Sequence, residues 1–377
     1  MPDHGVATSS VAVAGDTPAT ATGKPLSVVA LRKTYGQVVA VDDASMEIAA
    51  GEFVTFLGAS GSGKTTTLMM IAGFAEPDSG TITVGGRDVT RLAPQKRNLG
   101  FVFQQYLLFP HMTVAENVAF PLQLRGVPKA EIRTRVSETL ELAGLAGYGR
   151  RKPRELSGGQ QQRVALCRAL VYRPPVILMD EPLGALDKKL RDQLQTEIKN
   201  IQRELGLTVI YVTHDQEEAL VLSDRIAVMR DGRIDQFDTP RELFERPRTP
   251  FVADFLGAAN FLPGRLEDHT KDHSLVRLAT GGLLRARPHT DLTASAPVSV
   301  AVQPGRLALC APVDGFCSGT VESVTYVGTL VRVVVDAGTG RPLRLEVSAR
   351  HTPAVGDEVG ITADPDNINL FPADSGG

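Results

Sequence analysis

Between positions 26 and 256 the apolar residues fall into short runs that alternate between two periods. Residues 52–57 (EFVTFL) read as a short apolar strand, followed by a glycine-rich turn and a helical run over 64–73. Residues 130–143 place Ile132, Val136 and Leu140 on one helical face, with Glu131, Arg133 and Glu138 elsewhere around it. Residues 175–179 (PVILM) have the unbroken apolar character of a buried strand. Leu186, Leu190, Leu194, Ile198, Ile201 and Leu205 then form a long helical stripe that stops at Gly206. Residues 208–213 give another strand, and 225–237 a hairpin turning at Asp231-Gly232. Strands and helices alternating in this way predict a largely parallel α/β sheet.

After Asn260 the texture changes. Runs at 298–309, 319–327, 329–336, 343–347 and 358–363 are short and β-type, separated by Gly, Pro and Asp turns, with no helical period between them. The expectation is a small all-β, barrel-like unit over residues 259–377, behind an α/β domain over 25–258. Residues 1–24 are mostly Ala, Thr, Ser, Gly and Val, and lack the basic start and apolar stretch of a secretory signal. They read as a disordered leader.

Composition narrows the classes. The 43 acidic and 40 basic residues give a net charge of -3, which argues against a protein held to nucleic acid by a basic surface. Cys167, Cys310 and Cys317 have neither metal-ligand spacing nor a disulfide framework, pointing to a reducing compartment. No apolar run reaches the roughly 18 residues needed to cross a bilayer, so the chain reads as soluble when taken alone.

Three motifs carry chemistry. Gly58, Ala59, Ser60, Gly61, Ser62, Gly63, Lys64, Thr65 and Thr66 fit the phosphate-binding P-loop, placed between strand and helix as it must be. Its glycines let successive N–H groups point at phosphate oxygens, and the new helix adds its positive end. Lys64 can reach the β- and γ-phosphates, and the Thr65 hydroxyl can bind Mg²⁺. This motif alone leaves kinases, GTPases, motors and transporters open. Farther along, the run VILMDE ends a hydrophobic strand in Asp180, suited to hold magnesium, and Glu181, suited to orient and deprotonate water. Ser157, Gly158, Gly159 and Gln160 open a third element, a Ser-Gly-Gly turn before a helical run. That turn is either a simple helix cap or a second anion cradle. Two cradles imply two nucleotides, or one nucleotide clamped by two chains.

With these motifs in this order, the sequence resembles an ATP-binding cassette (ABC) transporter ATPase. LSGGQ is the signature motif of that family when it lies between a Walker A loop, here 58–65, and a Walker B strand, here 176–181. The resemblance implies further roles: Tyr35 stacks on adenine, and Gln104, in FVFQQ, touches Mg²⁺ and senses the membrane subunit. It makes Asp187, in GALD, the D-loop aspartate and His214, closing VIYVTH, the switch histidine on the γ-phosphate. It implies ATP and Mg²⁺ as cofactors, with Thr65, Gln104 and Asp180 around the metal and Glu181, His214 and Gln104 as catalytic groups. It also implies a head-to-tail homodimer in which each ATP lies between one chain's Walker A loop and the other's signature turn. Two separate transmembrane permease subunits and an extracytoplasmic solute-binding protein complete the implied assembly, with no nucleic acid. The chain would then sit peripherally on the cytoplasmic face of the inner membrane, docking through a helical subdomain at about 104–155.

The tail resembles the TOBE-type barrels that follow importer ATPases, notably at GDEVGI and Leu370-Phe371. It departs at Val302-Gln303-Pro304-Gly305, where such tails commonly read Val/Ile-Arg-Pro-Glu, which weakens any carry-over of a ligand-binding edge. The resemblance is thus to an α/β P-loop NTPase cassette followed by a small all-β domain of OB/TOBE type. The stretch from GALDKKL to HDQEEAL, and later FLGAANFLPG, looks most like spermidine/putrescine importer ATPases, with ferric-iron, sulfate and sugar importers sharing the architecture. The rival readings are a soluble ABC ATPase of DNA repair or translation, which usually carries a coiled-coil insertion or two cassettes, and a regulatory protein that sequesters a partner.

Overall fold

Residues 23–184, 186–289 and 293–373 are described by the structure, a computed structural model. The leader read at 1–24 lies outside them except for its last two residues, and there the expectation needs correcting. Gly23 N–H donates to the Gly206 carbonyl and Lys24 N–H to the Pro175 carbonyl, so these two residues are pinned rather than free.

In chain order the first elements are β1 (Leu26–Tyr35), β2 (Val38–Ile48) and β3 (Phe53–Leu57). β3 is buried at every position, and it leads through the glycine-rich loop into α1 (Lys64–Ala72). β4 (Ser79–Val84) pairs antiparallel with the two-residue β5 (Arg87–Asp88); α2 (Pro94–Arg97) and β6 (Gly100–Val102) follow. Next come α3 (Val114–Leu124), α4 (Lys129–Leu142) and α5 (Gly158–Leu170). They share a core in which the expected face of Ile132, Val136 and Leu140 meets Val118, Leu122, Val164 and Cys167. α3 starts from a reciprocal cap, Thr113 Oγ1 accepting from Glu116 N–H at 3.2 Å and Glu116 Oε2 from Thr113 N–H at 2.7 Å.

β7 (Val176–Asp180), buried throughout, runs parallel to β6. α6 (Lys188–Leu205) ends at Gly206, whose φ of 59° lies in the left-handed region that suits a helix stop. β8 (Thr208–Thr213) and α7 (Gln216–Leu222) precede the hairpin of β9 (Arg225–Arg230) and β10 (Arg233–Asp238). Its turn residues Asp231 and Gly232 both have positive φ, 50° and 80°, as a tight primed turn requires. β3 and β9 pair in parallel, in keeping with the predicted sheet. Two short helices follow, α8 (Pro240–Glu245) and α9 (Pro250–Gly257).

Beyond them the chain is β-structured with isolated 3₁₀ turns among the described residues. The strands are β11 (Asn260–His269), β12 (Ser274–Leu278), β13 (Leu283–Ala286), β14 (Pro297–Val302) and β15 (Leu307–Cys310). After these come β16 (Cys317–Val327), β17 (Leu330–Asp336), β18 (Leu343–Ser348), β19 (Glu358–Ala363) and β20 (Asn369–Pro372). They form two five-stranded sheets, ordered β13-β12-β11-β14-β20 and β15-β19-β16-β17-β18, whose inner faces share one apolar core. The single run expected at 298–309 is cut in two by a 3₁₀ turn at Pro304–Arg306, because Pro304 fixes its own φ and lacks a ladder donor. β11, β12 and β13 were not legible as separate strands, their apolar residues being diluted by Arg, Asp and His.

By packing, the described residues fall into two units: 23–31, 45–53 and 67–211 in one, and 32–44, 54–66 and 212–373 in the other. Among the described residues no helix is long and apolar enough to cross a membrane.

Candidate functional site

The second unit holds the P-loop. Lys64 is buried and its ammonium donates to the carbonyls of Gly58 and Ala59, both at 2.8 Å, and to Ser62 Oγ at 3.4 Å. The loop is therefore curled around its own lysine, with Ala59, Ser60, Gly61 and Thr65 exposed on the outside. Gly63 is indispensable to that curl: its φ is 99°, and an added Cβ would lie 2.6 Å from the Ala40 carbonyl. The β9–β10 turn braces the loop, Gly232 N–H donating to the Ser62 carbonyl at 3.2 Å and Asp42 N–H to the Gly232 carbonyl at 2.8 Å. Asp42 is clamped in turn by Arg233 at 2.5 Å and Arg32 at 3.0 Å, and the hydrogen bond from Arg233 leads in holding its carboxyl below the usual range.

Tyr35 and His214 belong to the same unit. Tyr35 ends β1 with its ring half exposed and the Lys33 ammonium 5.4 Å from the ring centroid. His214 is exposed, one residue past β8. Its backbone is fixed from both sides. Thr213 Oγ1 donates to the buried Glu218 carboxylate at 2.8 Å, while Asp215 caps α7 by accepting from Glu217 and Glu218 N–H.

The first unit holds the remaining motifs. Asp180 closes β7 and is buried. Glu181, the next residue, has a φ of 41°, a left-handed conformation that costs a side-chain-bearing residue on the order of 1–3 kcal/mol. Gln104 meets it: Gln104 Nε2 donates to Glu181 Oε2 at 3.1 Å. The structure thus joins two of the three expected catalytic groups, Gln104 and Glu181. Ser157 and Gln160 are also joined, in a reciprocal cap of α5, with Ser157 N–H donating to Gln160 Oε1 at 3.1 Å and Gln160 N–H to Ser157 Oγ at 3.4 Å. Ser157 and Gly158 are exposed, whereas Gly159 is buried, because a Cβ there would lie 2.8 Å from Leu190 Cδ2 on α6. Asp187 caps α6, accepting Leu190 N–H at 3.0 Å.

Three supports went unseen in the sequence. Arg97 is buried and donates to the carbonyls of Met70 and Ile71 in the last turn of α1, and to those of Leu92 and Thr90. Asn117, fully buried, accepts from Phe109 N–H and donates to the carbonyls of Phe109, Met112 and Thr113. Arg168 donates to the carbonyls of Tyr106 and Leu107. The last two hold the segment that follows Gln104. In the tail, Gln303, at the departure from the usual pattern, donates to the Phe244 carbonyl at 3.0 Å. The Thr113-x-x-Glu116 and Ser157-x-x-Gln160 caps, by contrast, carry a local signature that sequence reading can find.

The donor chemistry fits nucleotide and magnesium. Among the described residues no cluster of three metal-binding side chains occurs. Magnesium is commonly held by one or two carboxylates together with substrate phosphates and water. Asp180 and Gln104 in the first unit, and the Thr65 hydroxyl in the second, are hard oxygen donors of the kind it takes.

Comparison with known proteins agrees. Residues 41–184 match the ABC transporter family model and residues 300–371 the TOBE domain. The spermidine/putrescine import ATP-binding protein of Rubrobacter xylanophilus is 49% identical over 84% of this chain and 85% of its own. That of Thermobifida fusca is 48% identical over 92% of this chain and 93% of its own. The Fe(3+) ions import ATP-binding protein of Agrobacterium fabrum is 45% identical over 93% of this chain and 99% of its own. Among solved structures, the dimeric ATP-binding cassette MJ0796, bound to ADP and Pi in a post-hydrolysis state, is 36% identical. It covers 57% of this chain and 99% of its own, with a TM-score of 0.52. The cbiO1 component of an ABC transporter from Clostridium perfringens is 30% identical over 59% of this chain and 90% of its own, TM-score 0.55. The chain belongs to the ABC transporter ATP-binding family, an α/β ATPase cassette followed by an all-β TOBE domain.

Proposed function

We propose that this ATPase energises import of a polyamine, putrescine or spermidine, through permease subunits made by other chains, at the cytoplasmic face of the membrane. The contact of Gln104 with Glu181 at the end of a buried strand carries the catalytic part of the reading. Tyr35 stacks on adenine, and the amides of Gly58 to Thr66 cradle the phosphates with Lys64 turned onto the β- and γ-oxygens. Thr65, Asp180 and Gln104 would hold Mg²⁺, which would supply neutralisation of phosphate charge. Glu181 accepts the proton of the attacking water, Gln104 fixes the carboxylate, and His214 donates to the γ-phosphate oxygens. Ser157, Gly158, Gly159 and Gln160 of a second copy close over that phosphate, with Asp187 at the seam between copies. The chemistry is mainly positioning and electrostatics, as is usual for phosphoryl transfer.

The cargo reading rests on kinship with the two spermidine/putrescine import proteins. The Fe(3+) relative, nearly as similar and aligned over almost its whole length, favours ferric iron as the second reading. Uptake of labelled putrescine, spermidine, Fe³⁺, sulfate and sugars in a strain lacking this chain separates them. Loss confined to the polyamines is the expected result; intact polyamine uptake with lost iron uptake would hand the function to the second reading.

A further inference from the structure

A cleft of about 660 Å³ opens in the second unit, where α9 meets the strand ends of the β sheets. Its size lies within the ~300–1,000 Å³ typical of small-molecule sites. None of the ATPase motifs contributes to it.

Three features of its wall point to one class of ligand. The first is charge: Arg230, Arg341 and Arg344 line the cleft, against a single lining carboxylate, Asp254. Arg230 pairs with Asp231 at 3.2 Å, but the guanidinium groups of Arg341 and Arg344 have no hydrogen-bond or ion-pair partner among the described residues. Two unneutralised planar forks are suited to carboxylate or phosphate oxygens. The second feature is apolar surface: the half-buried rings of Phe251 and Phe261 line the same cleft, Phe251 lying under Arg230 at 5.0 Å.

The third is rigidity. Asn260 is buried and exchanges two hydrogen bonds with the backbone of Arg344, its Oδ1 accepting Arg344 N–H and its Nδ2 donating to the Arg344 carbonyl, both at 2.8 Å. That pair ties the start of β18 to the start of β11 and fixes the root of an arginine whose neighbours Leu343 and Leu345 are buried in the core. Ala253 on α9 packs against Ala301 and Phe371, so the helical wall is anchored as well. A wall fixed in this way has little ordering entropy to lose on binding.

We propose that this cleft binds a small organic anion, a molecule with an aromatic or apolar body and a carboxylate or phosphate head. The body lies against Phe251 and Phe261, and Arg341 and Arg344 take the head. None of the lining residues belongs to the nucleotide motifs.

The test is calorimetric titration of the full chain with saturating Mg-ADP present, so that the nucleotide motifs are filled. The probes are 1-naphthyl phosphate, 1-naphthoate and the neutral 1-naphthalenemethanol. One anion per chain is expected, with the neutral probe and the R341A/R344A variant each weaker by about tenfold or more, as expected for losing a charged hydrogen-bonding head. Comparing the two anions identifies the head group. Both arginines are exposed and outside the catalytic motifs, so unchanged basal ATPase activity in R341A/R344A reports intact folding. Equal binding by variant and wild type, equal binding of the neutral probe, or no binding of either anion up to about 5 mM would each overturn the site.

Discussion

At the scale of single residues, the strongest constraint is the backbone of Glu181. A glutamate held at a φ of 41° persists only because its surroundings over-determine it, and such positions cluster where chemistry is done. Gln104 supplies one of those surroundings from 77 residues away. If Glu181 is the base, Glu181→Gln should bind ATP as the wild type does while hydrolysis falls by about 10²–10⁴-fold, the usual worth of a positioned base. Equilibrium nucleotide binding and phosphate release, read on the same preparation, check the two halves. Phosphate release near the wild-type rate would remove Glu181 from that role. Lys64 is the contrasting case, since its ammonium caps the loop's own carbonyls and its loss alters the cradle itself.

Among elements, what was legible and what was not divides along one physical line. Strands, helices and motifs announced themselves because their signals are local: the apolar run of β7, the stripe of α6, the glycines around Lys64, the Asp231-Gly232 turn. The supports stayed hidden because each is a polar side chain whose partners are backbone carbonyls, and a carbonyl carries no residue identity. Arg97 shows the cost. α1 ends in carbonyls short of helical partners, and Arg97 donates to two of them, those of Met70 (which also accepts Gly73 N–H) and Ile71, together with two from the strand-to-helix connection. Burial lowers the pKa of this guanidinium, with nearby Asp88 acting in the opposite sense. Arg97→Met removes four hydrogen bonds to backbone carbonyls, three of them buried, an expected destabilisation of about 3 kcal/mol. Arg97→Lys should recover only part, because an ammonium cannot reproduce the planar fork. Denaturant unfolding of the three proteins decides it: a Met variant within about 0.5 kcal/mol of wild type would make Arg97 a bystander.

On the scale of the whole molecule, the arrangement of motifs poses a problem of valence. The described residues hold one P-loop and one Ser-Gly-Gly turn, that of 157–159, and the turn is capped by Gln160 with Ser157 and Gly158 facing outward. An exposed helix N-terminus presenting backbone donors is matched to an anion. If that anion is the nucleotide of a second copy, two copies related by a two-fold axis satisfy both cradles at once, and each site takes half of its parts from each chain. Complementation tests this directly. Lys64→Ala spoils a chain's own loop and spares its turn, while Ser157→Arg spoils the turn and spares the loop; neither variant alone should hydrolyse ATP. In an equal mixture, half of the randomly paired dimers carry both variants, and each of these holds one site with an intact loop from one chain and an intact turn from the other. Hydrolysis should therefore return in the mixture, to at most about a quarter of the wild-type rate if the two sites act independently. A mixture as inactive as its components, with mixed dimers verified by differential tagging, would rule out sites shared between copies. Activity in Ser157→Arg alone would show that one chain suffices.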